Sequence, residues 1–270
     1  MTRRLNAIVV GSLLLIGCIA ASFTPWGKQL EQDYGLSWLF AARGSTKPPE
    51  NVLIVSMSGE SADILEQPAQ LRLWDRELHA RLIQQLTEAG ANTIIFDIFF
   101  QHPRDENSDE ILIDAIRKSR RAILSQYIHR RKTGNMIVSE IVNPAQGFTL
   151  APIGLAPFLL PRDDDFIYKY WLFHSDTGDT PTLPITALQV FAINTIGYQR
   201  FADLVNKAKL IKADELPANI MNSDQTRNLI TTLRSAFHKS PNSLQMYLNE
   251  IEAADHQFTE SEKRILRSLG

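Results

Sequence analysis

Hydrophobic positions fall into three patterns along the chain, and each predicts a different kind of element. The first is an uninterrupted run, Leu5 to Phe23, nineteen residues without a charge and with only Asn6, Ser12 and Ser22 polar. At 1.5 Å per residue a helix over it reaches about 28 Å, enough to cross a hydrocarbon core. The second pattern is the short apolar block. Asn51-Val-Leu-Ile-Val-Ser-Met57 and Ala91-Asn-Thr-Ile-Ile-Phe-Asp-Ile-Phe-Phe100 are too short to span a membrane. They are rich in β-branched and aromatic residues, as buried parallel strands are. The third is helical periodicity: between Asp75 and Ala89, Leu78, Leu82, Ile83 and Leu86 share one face, and Gly90 follows as a C-terminal cap.

Strand 51–57, helix 75–89 and strand 92–100 together predict a right-handed βαβ unit. Asn107 with Glu110 predicts a capped helix through Ser119, and further strands are expected over 121–128 and 137–142. Residues 144–162 read as loop with short strands, and 166–173 as an extended aromatic segment. Pro184 opens a nearly all-apolar helix, and Thr259 with Glu262 caps the last of several polar helices after Gln199. The expected fold class is therefore α/β: a three-layer, βαβ-containing, mixed or mostly parallel sheet with an N-terminal transmembrane helix and a helical C-terminal extension. The expected divisions are an anchor over 1–24, an α/β core over 25–198, and helices 199–270 packed on the same domain.

Composition narrows the function classes. With 44% hydrophobic residues in 270, the chain buries a sizeable core, and its net charge of −2 leaves no basic footprint for nucleic acid. Arg3 and Arg4 before the apolar run place the N-terminus in the cytoplasm and the bulk of the chain in the periplasm or outside the cell. Two alternatives stand beside an uncleaved anchor. One is a cleaved signal peptide; the other is a lipoprotein signal, because Leu15-Ile16-Gly17-Cys18 resembles a lipobox ending on the sole cysteine.

Candidate chemistry is sparse. The six histidines are scattered, Asp163-Asp164-Asp165 lacks the spacing of a calcium loop, and Asp105, Glu106, Asp109 and Glu110 offer either a cation site or a helix terminus. These four suit a helix N-terminus, where the dipole favours carboxylates. There is no GxSxG, P-loop or GxGxxG. No catalytic residue, metal ligand or cofactor is expected. Asp97 stands out, a carboxylate near the C-terminal end of an apolar strand, where open α/β sheets hold ligands. Arg76, at the start of the adjacent helix, is its natural charge partner. The expected site joins Asp97 and Arg76 with Glu60, Ser58, Trp74 and His102. Asp97 is expected to clamp the loops first and touch a ligand second.

Asn51-Val-Leu-Ile-Val-Ser-Met57, Trp74-Asp-Arg-Glu-Leu-His-Ala80, Leu82-Ile83, Gly90-Ala91 and Ile95-Phe-Asp-Ile-Phe-Phe100 follow one another in the order of the type-two CHASE domain, which this chain resembles. Asp75 stands where that family carries proline, and Met57-Ser58-Gly59-Glu60-Ser61 replaces its acidic first-strand ending. Leu183-Pro-Ile-Thr-Ala-Leu188 is similar to the segment opening the family's buried helix. Leu233-Arg-Ser-Ala-Phe237 and Arg264-Ile-Leu-Arg267 are similar to a helical insert of proteobacterial members. The resemblance implies an extracellular sensor that receives an unknown small molecule or a periplasmic protein and signals to a cytoplasmic nucleotide cyclase or kinase. Such an effector would lie in a separate domain, past further membrane helices. The implied location is the cell membrane, with a homodimer among the options. An envelope interaction protein that binds no ligand is the alternative.

Overall fold

The computed structural model describes residues 2–134, 136–160, 167, 170–240, 242–254 and 256–270; side chains at 2–8, 29, 32, 33 and 213 are outside the description. The chain divides into two compact units. Met1–Ser56 with Leu160–Tyr170 forms one, and Met57–Leu159 with Trp171–Gly270 the other.

In the first unit the long apolar run becomes helix α1 (Thr2–Ser22). Thr24 caps α2 (Pro25–Leu30), and a π-helical turn at Glu31–Gly35 leads into α3 (Leu36–Arg43). Leu13, Leu14, Leu15 and Ile16 are each 62–65% exposed. Four consecutive residues cover every side of a helix, so this turn of α1 is apolar all round, unlike a helix that packs one stripe on a core. Among the described residues, however, no helix is long and apolar enough to cross a membrane, so the expected spanning helix is without structural support.

The expected first strand does not form. Residues 52–58 carry no strand, and Val52, Leu53 and Ile54 are 61%, 76% and 85% exposed. β-propensity marks residues that suit a pleated, covered surface, but a strand exists only where a ladder partner does. Here the run falls with the first unit, while the sheet belongs to the second.

The second unit begins with α4 (Gly59–Ile64) and α5 (Arg76–Glu88), followed by β1, which shrinks to Ile94–Phe96. Next come α6 (Glu106–Ser119), β2 (Ala122–Thr133) and β3 (Met136–Val142). The βαβ unit is thus β1–α6–β2, in parallel register with Ile94 opposite Ala122. Asp105, accepting from the Ser108 amide at 2.9 Å, caps α6 in place of the expected Asn107. β2 continues past the sheet to pair antiparallel with β3 across a turn at Gly134, whose φ is +61°. The 144–162 loop contains α7 (Gln146–Leu150) and β4 (Gly154–Pro157), which pairs parallel with β2. Tyr168 and Asp163–Asp165 lie outside the described residues. β5 (Phe173–His174) and β6 (Thr180–Pro181) form a two-stranded ribbon.

The unit continues with α8 (Leu183–Ile196), α9 (Tyr198–Lys207), α10 (Ser223–Lys239), α11 (Ser243–Ala253) and α12 (Glu260–Arg267). The capping box at Thr259 and Glu262 forms as the spacing predicts.

Alternation along β2 sorts the core into two clusters. Ala122 and Leu124 face a cluster with Ile83, Leu112, Ile116, Phe100 and Phe148, from α5, α6, α7 and the loop after β1. Ile123 faces a cluster with Val190, Phe201, Leu229, Tyr247 and Leu266, from α8 to α12. Period-two side chains on a strand covered on both faces produce this split, and the result is a mixed sheet between helical layers. Gly154 makes the close approach possible: a Cβ there would lie 2.9 Å from Thr186 Cγ2 and 3.1 Å from Ile123.

Candidate functional site

Arg76 opens α5 directly after Asp75, whose carboxylate accepts from the Glu77 amide at 3.0 Å and caps the helix. Arg76, His79, Ala80 and Ile83 form its buried face, at spacings of three, four and seven. On α6 the buried positions Asp109, Leu112, Ile116 and Ser119 do the same. The two faces meet through charge. Arg76 Nε donates to Asp109 Oδ1 at 3.0 Å, with side chains only 5% and 9% exposed.

The pair is embedded in further bonds. Arg76 Nη2 donates to the His102 carbonyl at 3.2 Å, and the Arg104 amide donates to Asp109 Oδ2 at 2.6 Å. Arg104 Nη1 donates to the Trp74 carbonyl at 2.6 Å, and the Trp74 indole donates to the Pro68 carbonyl at 3.0 Å. The guanidinium carbon lies 4.5 Å from the Phe100 ring centroid and 5.1 Å from that of Phe148, within cation–π range of both. Burial and the Arg104 charge lower the Arg76 pKa, and Asp109 works against that fall. The result ties the loop after β1 to the starts of α5 and α6.

His79 sits beside this latch, 4% exposed, edge-on to Phe96 and Phe100 at 6.1 and 5.9 Å. Burial, then the positive charges of Arg76 and Arg104, push its pKa down to about 4, with Asp75 the opposing influence.

The six expected site residues therefore separate. Arg76 and Trp74 are buried scaffold; Ser58 caps α4 by accepting from the Ser61 amide at 3.1 Å. Glu60 is exposed in the first turn of α4, and His102 contributes its carbonyl to Arg76 while the residue stays exposed. Asp97 lies one residue beyond β1, exposed, with no hydrogen bond or ion pair among the described residues. Its expected clamp on Arg76 is replaced by Asp109, and neither Ser58 nor Glu60 is bonded to it.

Sequence reasoning assigned Asp109 to a helix terminus. Its spacing of three and seven from Leu112 and Ile116 was the signal that it belongs on the covered face. A polar group at the strand ends was also missed. Ser125 Oγ donates to the Phe96 carbonyl at 2.8 Å, Gln126 Nε2 to Asn143 Oδ1 at 2.5 Å, and Arg227 Nη2 to the Leu155 carbonyl at 3.4 Å. Among the described residues no three His, Cys, Asp or Glu side chains gather as a metal site would require. The arrangement is a hydrogen-bonded platform beside the exposed Asp97.

Because Asp97 has no bonded partner among the described residues, Asp97→Asn is expected to leave unfolding free energy within about 0.5 kcal/mol of the parent. Chemical denaturation of the full chain measures this; a loss above about 1.5 kcal/mol, the strength of a charge-assisted bond, restores the clamp.

The family model described as CHASE2 domain matches residues 11–261, nearly the whole chain. No curated protein and no solved structure matches.

Proposed function

The chain belongs to the CHASE2 family of extracellular sensory domains found in signalling proteins, and from that premise we propose that it is a membrane-anchored, extracytoplasmic sensor. It binds a small molecule or a periplasmic protein and relays the event to a cytoplasmic cyclase or kinase carried elsewhere. The family match over residues 11–261 is the observation that carries this reading. Two features support it. Exposed apolar side chains along α1, from Val9 to Ile19, suit hydrocarbon better than water. The strand-tip face displays Asp97 and the nearby exposed His102 on a loop fixed by the buried latch.

A second reading, partner binding without a small ligand, is favoured by the exposed apolar run Val52, Leu53, Ile54 and Val55. Two measurements test these readings. An alkaline phosphatase fusion after Gly270 is expected to be active, and the chain to stay in the membrane after carbonate extraction; an inactive fusion overturns the topology. Thermal unfolding with the small-molecule fraction of periplasmic extract then separates the two kinds of binding. A rise in melting temperature that Asp97→Asn abolishes supports ligand sensing at the strand tip. No rise, together with saturable capture of a purified periplasmic protein that Leu53→Asp and Ile54→Asp abolish, supports the second reading.

A further inference from the structure

At the opposite end of the sheet, Gly90, Asn92, Ser119, Arg120, Arg121 and Asn194 line a pocket of about 340 Å³. Its size lies at the small end of the range for ligand sites. The sequence builds it where α5 and α6 hand over to strands. Gly90 and Asn92 precede β1, Ser119 to Arg121 precede β2, and the parallel register brings these connections side by side. Gly90 at φ +87° and Arg120 at φ +52° make the turns.

The pocket's two guanidinium groups are fixed, but not neutralised. Arg121 Nη1 donates to the Ala91 carbonyl at 2.5 Å and the Thr87 carbonyl at 3.4 Å; Arg120 Nη2 donates to the Ile220 carbonyl at 3.3 Å. Asn194 Nδ2 donates to the Asn92 carbonyl at 2.9 Å and braces the wall. Neither arginine makes an ion pair among the described residues, whereas Arg76, Arg117, Arg200 and Arg267 each meet a carboxylate. The lining holds no acid. A guanidinium has five donors, and each of these uses a single nitrogen on protein carbonyls, so further donors are left for a ligand. Two adjacent cations in a concave wall also concentrate positive potential there.

We propose that this pocket binds a small molecule through an oxyanion, a carboxylate or phosphate group. A purely structural role is the competing account, since Arg121 also closes the C-terminal end of α5. That role changes stability without conferring an anion response, so the two separate.

The test uses the full chain in detergent, titrated calorimetrically with inorganic phosphate and with citrate against chloride at matched ionic strength. At least one probe is expected to saturate at one site per chain and to raise the melting temperature. Arg120→Gln is expected to weaken that binding about tenfold or more, the loss of a charge-assisted contact. Lys132→Gln, on the exposed arm of β2, leaves it unchanged. If Arg120→Gln does not fold, Asn194→Asp decides, because it places a carboxylate in the wall at nearly constant volume. Saturation by phosphate alone points to a phosphate group, and by citrate alone to a carboxylate. Absence of saturation with both probes overturns the proposal, as does binding undiminished by the variants that fold. Binding is read directly, so failure here leaves the sensory reading standing.

Discussion

Asp109→Ala is expected to cost the second unit about 3–5 kcal/mol, the effect of stripping one partner from a buried ion pair. The magnitude follows from what is left behind. Arg76 stays charged at 5% exposure, and its remaining bond is to the His102 carbonyl. The Arg104 amide loses its acceptor in the same step. Arg76→Ala removes the opposite charge, together with its contacts to Phe100 and Phe148, and is expected to cost a similar amount. The double variant should cost clearly less than the sum, with a coupling of about 2 kcal/mol or more in a cycle measured by chemical denaturation. Arg76→Lys should not rescue, because one ammonium cannot reproduce the forked bonds made by Nε and Nη2. A loss below about 1 kcal/mol for Asp109→Ala would show that the loop after β1 is held by something else. An additive cycle would show the same.

This latch also shows where sequence reasoning reached its limit. Periodicity placed α5 to within a residue, Pro184 and the apolar run behind it marked the start of α8, and the capping box of α12 was legible because its bonds join residues three apart. Contacts between distant elements were not legible. Arg76 has carboxylates at 97, 105, 106, 109, 110 and 114 within the loop after β1 and α6, and proximity to the strand suggested Asp97. The choice of Asp109 depends on which faces of α5 and α6 meet, a packing outcome. The run 52–55 failed for a related reason. Its residue types say that it prefers a covered, extended environment, but they carry no information about which strand edge supplies the ladder. β1 illustrates the converse: a nine-residue apolar block yields only three paired residues, because its partner β2 is matched to it only from Ala122 to Leu124. The remainder, Asp97 to Phe100, serves as the loop that the latch secures.

His79 should make the fold acid-sensitive well before its carboxylates titrate. In the unfolded chain an imidazole titrates near 6.5, while in the folded chain its pKa is about 4. Between these values the unfolded state holds the extra proton, so stability rises with pH across the window and is lost as pH falls through it. The stabilising difference is fully present above about pH 6.5. A gap of this size corresponds to about 3 kcal/mol once pH falls below 4, and to about 2 kcal/mol between pH 7.5 and 5. The cause is local. The ring lies between Phe96 and Phe100, with Arg76 and Arg104 disfavouring a further positive charge and only Asp75 favouring it. His79→Leu keeps an apolar side chain in place and removes the titration. Its unfolding free energy should start lower than the parent's at about pH 7.5 yet change less by pH 5, by about 2 kcal/mol. Parallel curves for parent and variant across that interval would mean that His79 takes up its proton without leaving the fold. The pH response would then have to come from other groups.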